Sequence, residues 1–175
     1  MHKLDSEDYE QVDAWRAFLD FERANPMQLE PEAFAAWMDR CVHCCLGCCQ
    51  YSPDMWLYCI ELAYGVAKSS ALDLMEQAIA AMPSCLLLRI RICEFFEAIG
   101  ELGKAESEYR RLIKDCKTAV PWIMYQQFAR RHFGIQAARD VFERARLSCK
   151  DPSLYIAAGF NSLSLSHTQL ASKRT

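Results

Sequence analysis

Apolar positions along this chain recur with the period of an α-helix, and the helical pattern itself recurs every 33 or 34 residues. Similar segments begin at Ala71, Ala105 and Ala138. The last of them forms one apolar stripe from Ala138, Val141, Phe142 and Ala145. In the segment from Ala105, the acidic Glu108 takes one position of the stripe. This period is typical of helical repeats that must stack on their neighbours to complete a core.

A second helical pattern, headed by aromatic residues, precedes each of these segments, so that the predicted unit is helix A, turn, helix B. The aromatic positions that we expect in the core are Trp15, Phe18, Phe21, Trp56, Trp122, Tyr125 and Phe128. Proline marks the helix ends, and glycine falls between helix A and helix B, where a tight turn benefits from positive φ. The fold class predicted is all-α, a right-handed α-solenoid of antiparallel helix pairs.

The repeats predict an array over residues 9–158, with about four helix pairs and the first helix of a fifth. Because that last helix lacks its partner, we expect Leu154, Tyr155 and Ala158 to be partly exposed. Residues 159–175 are rich in serine and show no helical pattern, which favours a disordered tail. Residues 1–8 are expected to form a flexible N-terminus. The incomplete pair suggests a fragment or a short isoform.

Composition supports a folded helical protein. The 175 residues are 52% hydrophobic, with only 6 Gly and 6 Pro, too apolar for disorder and too poor in turn residues for a sheet. The first residues are acidic and lack an apolar run, so we expect a soluble intracellular protein without a membrane segment. In such a protein the 10 cysteines are interpreted as reduced thiols.

Charge is distributed unevenly although the net charge is only -3. Residues 1–32 hold nine acidic residues against three Lys or Arg, whereas residues 101–175 hold thirteen Lys or Arg against seven acidic residues. Such polarity is able to guide the docking of a partner. The densest basic run predicts partner-binding candidates at Arg130, Arg131 and Arg139. An acidic protein and RNA phosphate both fit them, and so does an ordinary solvated helix face.

A cysteine cluster invites a metal hypothesis. Its four candidate ligands are Cys41, Cys44, Cys45 and Cys48, which have the spacing of soft zinc ligands. Counting residues back from Pro53, however, places these thiols at the apolar-stripe positions that Ala71, Leu74, Met75 and Ala78 occupy in the next repeat. Thiols on one helix face do not easily surround a tetrahedral ion, which disfavours a metal, and we expect them to be buried hydrophobes, with Cys49 the exposed thiol.

Motifs for catalysis are missing from the sequence. There is no Gly-rich phosphate loop, no GxSxG and no HExxH, and the four histidines are scattered. We therefore expect no enzyme activity and no cofactor. A Cys/His nucleophile pair stays open in principle, since its partners need not be close along the chain.

The repeat residues resemble a known family. Helix A reads Trp15-x-x-Phe18-x-x-Phe21-Glu22 and helix B of the fourth unit reads ARDVFERA at 138–145, which resembles the half-a-TPR (HAT) repeat of RNA-processing proteins. The stretches FLDFERANPMQL at 18–29 and IMYQQFARRHFGIQAARDVFERAR at 123–146 are similar to the suppressor-of-forked family, the HAT-repeat scaffold subunit of cleavage stimulation factor. The resemblance covers about residues 9–158. It departs at the cysteine cluster and after Ala158.

That resemblance implies a nuclear, non-catalytic scaffold for pre-mRNA cleavage and polyadenylation. Its partners would be protein subunits of that machinery, with RNA contact indirect or weak. The resemblance also implies that the repeats through which the family dimerises are missing from this sequence. One alternative is a HAT-repeat scaffold of the spliceosome or of pre-ribosomal RNA processing, because the repeat alone does not separate these assemblies. The other is a cysteine-rich zinc or redox module.

Overall fold

The structure is a computed structural model that describes residues 6–156, with side chains from residue 9 onward. Its helices are α1 (Ser6–Arg23), α2 (Pro31–Cys48), α3 (Pro53–Val66), α4 (Lys68–Ala81), α5 (Leu86–Ala98), α6 (Leu102–Asp115) and α7 (Ala119–Ser148). The predicted all-α class of HAT-like helix pairs is confirmed. The expected tail at 159–175 lies outside the described residues, as do residues 1–5 of the expected flexible N-terminus.

Glycine and proline set the helix boundaries. Gly134 has φ 88° and ψ -177° inside α7, a backbone conformation that residues other than glycine rarely adopt. It divides α7 into helix A (119–133, α7a) and helix B (135–148, α7b) of one repeat. Pro53 is the first residue of α3, and the Ser52 side chain caps that helix by accepting a hydrogen bond from the Met55 backbone N–H at 3.4 Å.

The described residues fall into two compact units that divide within α5, between Ile92 and Cys93. In the first unit, helices α3 and α4 pack closely, and Trp37 Nε1 on α2 donates to Glu22 Oε2 on α1 at 2.7 Å. That bond satisfies a carboxylate that is buried in the seam between the two helices. In the second unit, α6 packs against α7.

Each helix B buries one stripe, and the four stripes follow a single period. In α2 and α4 the buried residues are Met38, Cys41, Val42, Cys45 and Leu46, then Ala71, Leu74, Met75, Ala78 and Ile79. In α6 and α7b they are Ala105, Glu108, Tyr109 and Leu112, then Ala138, Val141 and Ala145. The stripes thus begin at positions 38, 71, 105 and 138, with Phe142 half-buried at the edge of the last one.

The expected register of the cysteines is therefore wrong by three residues. Met38, rather than Cys41, stands where Ala71 stands in the next repeat. The error arose because the connection between α2 and Pro53 spans residues 49–52, whereas Met82 alone separates α4 from Pro83. Proline fixes where a helix begins but not the length of the connection before it.

Aromatic residues of helix A build the core of the second unit. Tyr109 on α6 lies 5.8 Å from Tyr125 and 5.3 Å from Phe128 between ring centroids, and Phe128 is fully buried. Trp122 of this unit is 5% exposed, as is Trp56 on α3 of the first unit. Aromatic packing of this kind contributes beyond the buried area alone.

The first helix departs from this arrangement, and two of its expected core residues are not buried. Phe18 is 38% and Phe21 is 61% exposed, while Trp15 is half-buried and meets the Phe18 ring edge-on at 5.6 Å. In the fourth repeat the matching positions are held by Tyr125 and Phe128, which pack on the helix B that precedes them. Among the described residues no helix precedes α1, so these two rings have no such surface.

A short helical turn follows α7, and its residues are not all exposed as expected. Leu154 is fully buried rather than partly exposed, while Tyr155 is half exposed and meets Phe142 edge-on at 6.0 Å. Ala158 lies outside the described residues. The first turn of a fifth helix A thus already covers the end of the fourth repeat.

Among the residues that the structure describes, every helix is too short or too polar to cross a lipid bilayer.

Two phenylalanines at matching motif positions test this description of the core. Phe128→Ala removes a fully buried ring and should lower the free energy of unfolding by about 3 to 5 kcal/mol. Phe21→Ala removes a largely exposed ring and should change it by about 0.5 kcal/mol or less. Urea denaturation followed by circular dichroism measures both, and equal losses would contradict the burial described.

Candidate partner-binding surface

The basic run at the end of α7a is partly committed to contacts inside the second unit. Arg131 donates to the Glu97 carboxylate on α5 from Nε at 2.6 Å and from Nη2 at 2.7 Å, and His132 Nε2 lies 2.7 Å from the same carboxylate. Glu97 is well covered, with 15% of its side chain exposed. A bidentate pair of this kind joins the helix A of one repeat to the helix A of the next.

The titration behaviour of this cluster follows from its hydrogen bonds. The Arg131 guanidinium, followed by the His132 ring, holds the pKa of Glu97 below its usual value despite burial. The same bond raises the pKa of Arg131. Because both of these guanidinium donors of Arg131 face the Glu97 carboxylate, the side chain has a packing role inside the unit.

The other two predicted partner residues lie on different helices. Arg130 is half-buried on α7a, and Arg139 is exposed on α7b beyond the break at Gly134. The three predicted residues thus come from both helices of one repeat, and Arg131 is held by Glu97 of α5. Partner binding by Arg130, Arg131 and Arg139 stays a prediction.

A basic groove lies elsewhere in the second unit, between α6 and the two halves of α7. Its volume is about 470 Å³. It is lined by Arg110, Ile113, Lys114, Trp122, Arg144, Leu147 and Ser148. The first three come from α6, Trp122 from the start of α7a, and the last three from the end of α7b. We call this set the basic groove.

Local sequence explains how the groove residues reach one place. Positions 110, 113 and 114 share one side of α6 because residues three and four apart lie on the same helix face. That side lies next to the buried stripe that contains Tyr109 and Leu112. On α7b, Arg144 and Leu147 lie beside the buried residues Val141 and Ala145. The groove was not predicted because its cations lie on two helices, with Lys114 and Arg144 30 residues apart along the chain. Only the alternation of stripe and basic face signalled it.

One cation of the groove is held in place. Arg110 Nη2 donates to Glu106 Oε1 at 2.7 Å, and Arg110 Nε donates to the Tyr125 hydroxyl at 3.3 Å. The same hydroxyl donates to Glu106 Oε1 at 3.1 Å. These bonds raise the pKa of Arg110, with the Tyr125 contact contributing most. Glu106 and Tyr125 thus orient the Arg110 guanidinium, and its Nη1 takes no part in these three hydrogen bonds.

The cysteine cluster does not lie on one helix face. Cys41 and Cys45 are buried, whereas Cys44 and Cys48 are exposed. Cys49, expected to be the exposed thiol, is only 6% exposed, so that expectation is wrong. The corrected register explains the change, since Cys41, Cys45 and Cys49 follow the buried stripe and its continuation beyond α2.

Buried thiols in the first unit contact one another. The Cys45 thiol hydrogen-bonds with Cys59 on α3 and with Cys49, and the bond to Cys59 together with burial raises its pKa. Burial also raises the pKa of Cys41. Thiols with raised pKa are poor nucleophiles and poor metal ligands, because the thiolate is the reactive form. Among the side chains that the structure describes, no three or more His, Cys, Asp or Glu form a group suited to a metal ion.

Comparison with known proteins finds a family match that covers most of this chain. Residues 1–160 match the family model described as suppressor of forked protein (Suf). Cleavage stimulation factor subunit 77 of Arabidopsis thaliana is 29% identical over 149 residues, which cover 82% of this chain and 20% of that protein. The mRNA 3'-end-processing protein RNA14 of Yarrowia lipolytica is 26% identical over 104 residues, covering 57% and 13%. The chain thus spans about a fifth or less of these relatives.

The charge pair between α5 and α7a gives a direct test. Arg131→Glu places a second carboxylate against Glu97 and should lower the free energy of unfolding by about 1 to 2 kcal/mol after allowance for partial exposure. Arg139→Glu makes the same charge change at an exposed position and should alter it by about 0.5 kcal/mol or less. Thermal melts of both variants provide the measurement. Equal stability of the two variants would show that the Glu97 pair is not structural.

Thiol reactivity tests the corrected register. With N-ethylmaleimide under native conditions, Cys44 and Cys48 should be alkylated first, and the thiols of Cys41, Cys45 and Cys49 should react slower by at least about 10-fold. Peptide mass spectrometry along a time course measures each site. Labelling of Cys49 as fast as Cys44 would restore the original register and contradict the structure.

Proposed function

This chain belongs to the suppressor of forked family, and we propose that it acts as a non-catalytic protein-interaction scaffold in nuclear mRNA 3'-end processing. The observation that carries the proposal is the extent of the family match, which runs over residues 1–160 and so includes every described helix. The partners that we propose are protein subunits of the cleavage and polyadenylation machinery. We propose that RNA is contacted indirectly or weakly.

The distribution of side chains supports a scaffold role. The inner stripes of the helices are occupied by packing, and the Glu97 carboxylate is held by Arg131 and His132. The charged side chains left at the surface are spread over successive repeats, as in arrays that bind extended partners. Binding by such a surface needs complementary charge and shape rather than a reactive group.

The two alternatives have less support. A scaffold of the spliceosome or of pre-ribosomal RNA processing would have the same fold, but the printed names of the relatives refer to cleavage stimulation and mRNA 3'-end processing. A zinc or redox module centred on residues 41–49 would need its thiols together, whereas Cys44 and Cys48 are exposed and Cys41 and Cys45 are buried.

Affinity capture from nuclear extract tests the proposal. The native chain, immobilised at the same density as the Phe128→Ala variant, should retain cleavage and polyadenylation subunits well above the variant, because the variant lacks a core side chain of the second unit. Quantitative mass spectrometry of the bound proteins measures the ratio. Equal retention on both columns would show that the binding does not depend on the fold.

A functional readout accompanies the capture. An excess of the soluble chain should inhibit cleavage of a pre-mRNA that carries a polyadenylation signal in a cell-free reaction, because it competes for the partner subunits. Splicing of a second pre-mRNA in the same extract serves as the control and should be unchanged. Inhibition of splicing with recovery of spliceosomal proteins would move the function to the first alternative.

A further inference from the structure

We propose that the basic groove of the second unit binds an acidic peptide segment that carries an apolar side chain among its carboxylates. The groove is formed by α6 and the two ends of α7, and its volume of about 470 Å³ is within the range of sites that hold small ligands or a few peptide side chains. This inference goes beyond the proposed function in stating the chemistry of a partner. It rests on that function only in taking the chain to act by binding protein.

Charge gives the first argument. Of the seven lining residues, three are cationic, namely Arg110, Lys114 and Arg144, and none is acidic. Glu106 on α6 pairs with Arg110 at 2.7 Å and neutralises it in part. The remaining positive charge comes from both walls of a concave surface, which concentrates the field and attracts carboxylates. The net charge of the whole chain, which is -3, makes this local excess more significant.

The held guanidinium gives the second argument. Because Glu106 and Tyr125 orient Arg110, its remaining Nη hydrogens are available in a fixed plane for a carboxylate. A planar fork of donors matches the two oxygens of a carboxylate, and an oriented fork loses little conformational entropy on binding. Lys114 and Arg144 add charges from α6 and α7b on either side.

Apolar residues in the groove explain why the ligand needs an apolar side chain. Leu147 is 83% exposed and Ile113 is half-buried, and both line the groove beside the cations. Covering the exposed Leu147 would remove apolar surface from water, which is favourable. A peptide that pairs carboxylates with the cations and lays an aliphatic or aromatic side chain on Leu147 would use both features.

The lining favours a peptide over RNA. Trp122 is the aromatic residue of the groove, and with only 5% of its surface exposed it offers little ring area on which a base could stack. Single-stranded RNA is bound by basic tracks that combine several phosphate contacts with exposed aromatic faces. A compact site with three cations and exposed aliphatic carbon fits carboxylates and an apolar side chain better.

Fluorescence anisotropy with the purified chain tests the proposal. The probe is a short fluorescein-labelled peptide of alternating Asp and Glu around a central Leu. We expect saturable binding that Arg144→Glu and Lys114→Glu each weaken about five-fold or more, because each replaces an attraction by a repulsion. Arg139→Glu, the same change on α7b outside the groove, should leave it within about two-fold. Circular dichroism melts verify that each variant folds.

Two control peptides separate the contribution of the apolar side chain from that of the carboxylates. Replacing the central Leu of the probe by Gly should weaken binding, and replacing its acidic residues by Ser should abolish it. The proposal is overturned by an absence of saturable binding or by an equal effect of Arg139→Glu. It is also overturned if an oligouridine binds more tightly than the peptide and is weakened by the same substitutions. A dimer of the chain that occupies the groove, and that Arg144→Glu dissociates, would overturn it as well. Failure here with successful capture of processing factors would leave the proposed function standing.

Discussion

Packing of one narrow stripe on each helix B is the constraint on which the rest of this structure depends. The stripes begin at Met38, Ala71, Ala105 and Ala138, and most of their residues are small or unbranched enough for helices to approach closely. Since no repeat buries its stripe alone, each helix pair depends on its neighbour. The side of helix B beside its stripe is then left for polar contacts, and the basic groove is formed where those sides of α6 and α7b meet the start of α7a.

Much of the fold could be predicted from the sequence because the same helical pattern occurs in several repeats. A helix that is ambiguous in one repeat is identified by its counterparts in the others. The helix pairs, the break at Gly134 and the helix start at Pro53 follow from periodicity and from the backbone chemistry of glycine and proline. The register of the cysteines could not, because it was counted from a proline across a connection of unknown length. Counting by the period of the buried stripes, the first of which begins at Met38, would have given the correct register.

Surface sites were harder to predict than the core, for a physical reason. A core position is specified by periodicity within one helix, whereas a binding surface combines residues from several helices. Arg131 looked like a free cation in the sequence, yet its partner Glu97 lies 34 residues away on α5. Lys114 and Arg144 looked unrelated, yet both line one groove. Exposure of Phe21 likewise depends on the neighbour of α1 and not on the motif that contains it.

The proposed role of this chain is to present a folded surface to protein partners in mRNA 3'-end processing. Hydrogen–deuterium exchange of the purified chain, with and without purified cleavage and polyadenylation subunits, tests this role most directly. New protection is expected in α6 and in the last turns of α7, with the interior stripes already protected in the free chain. Unchanged exchange throughout the chain in the presence of those subunits would contradict it.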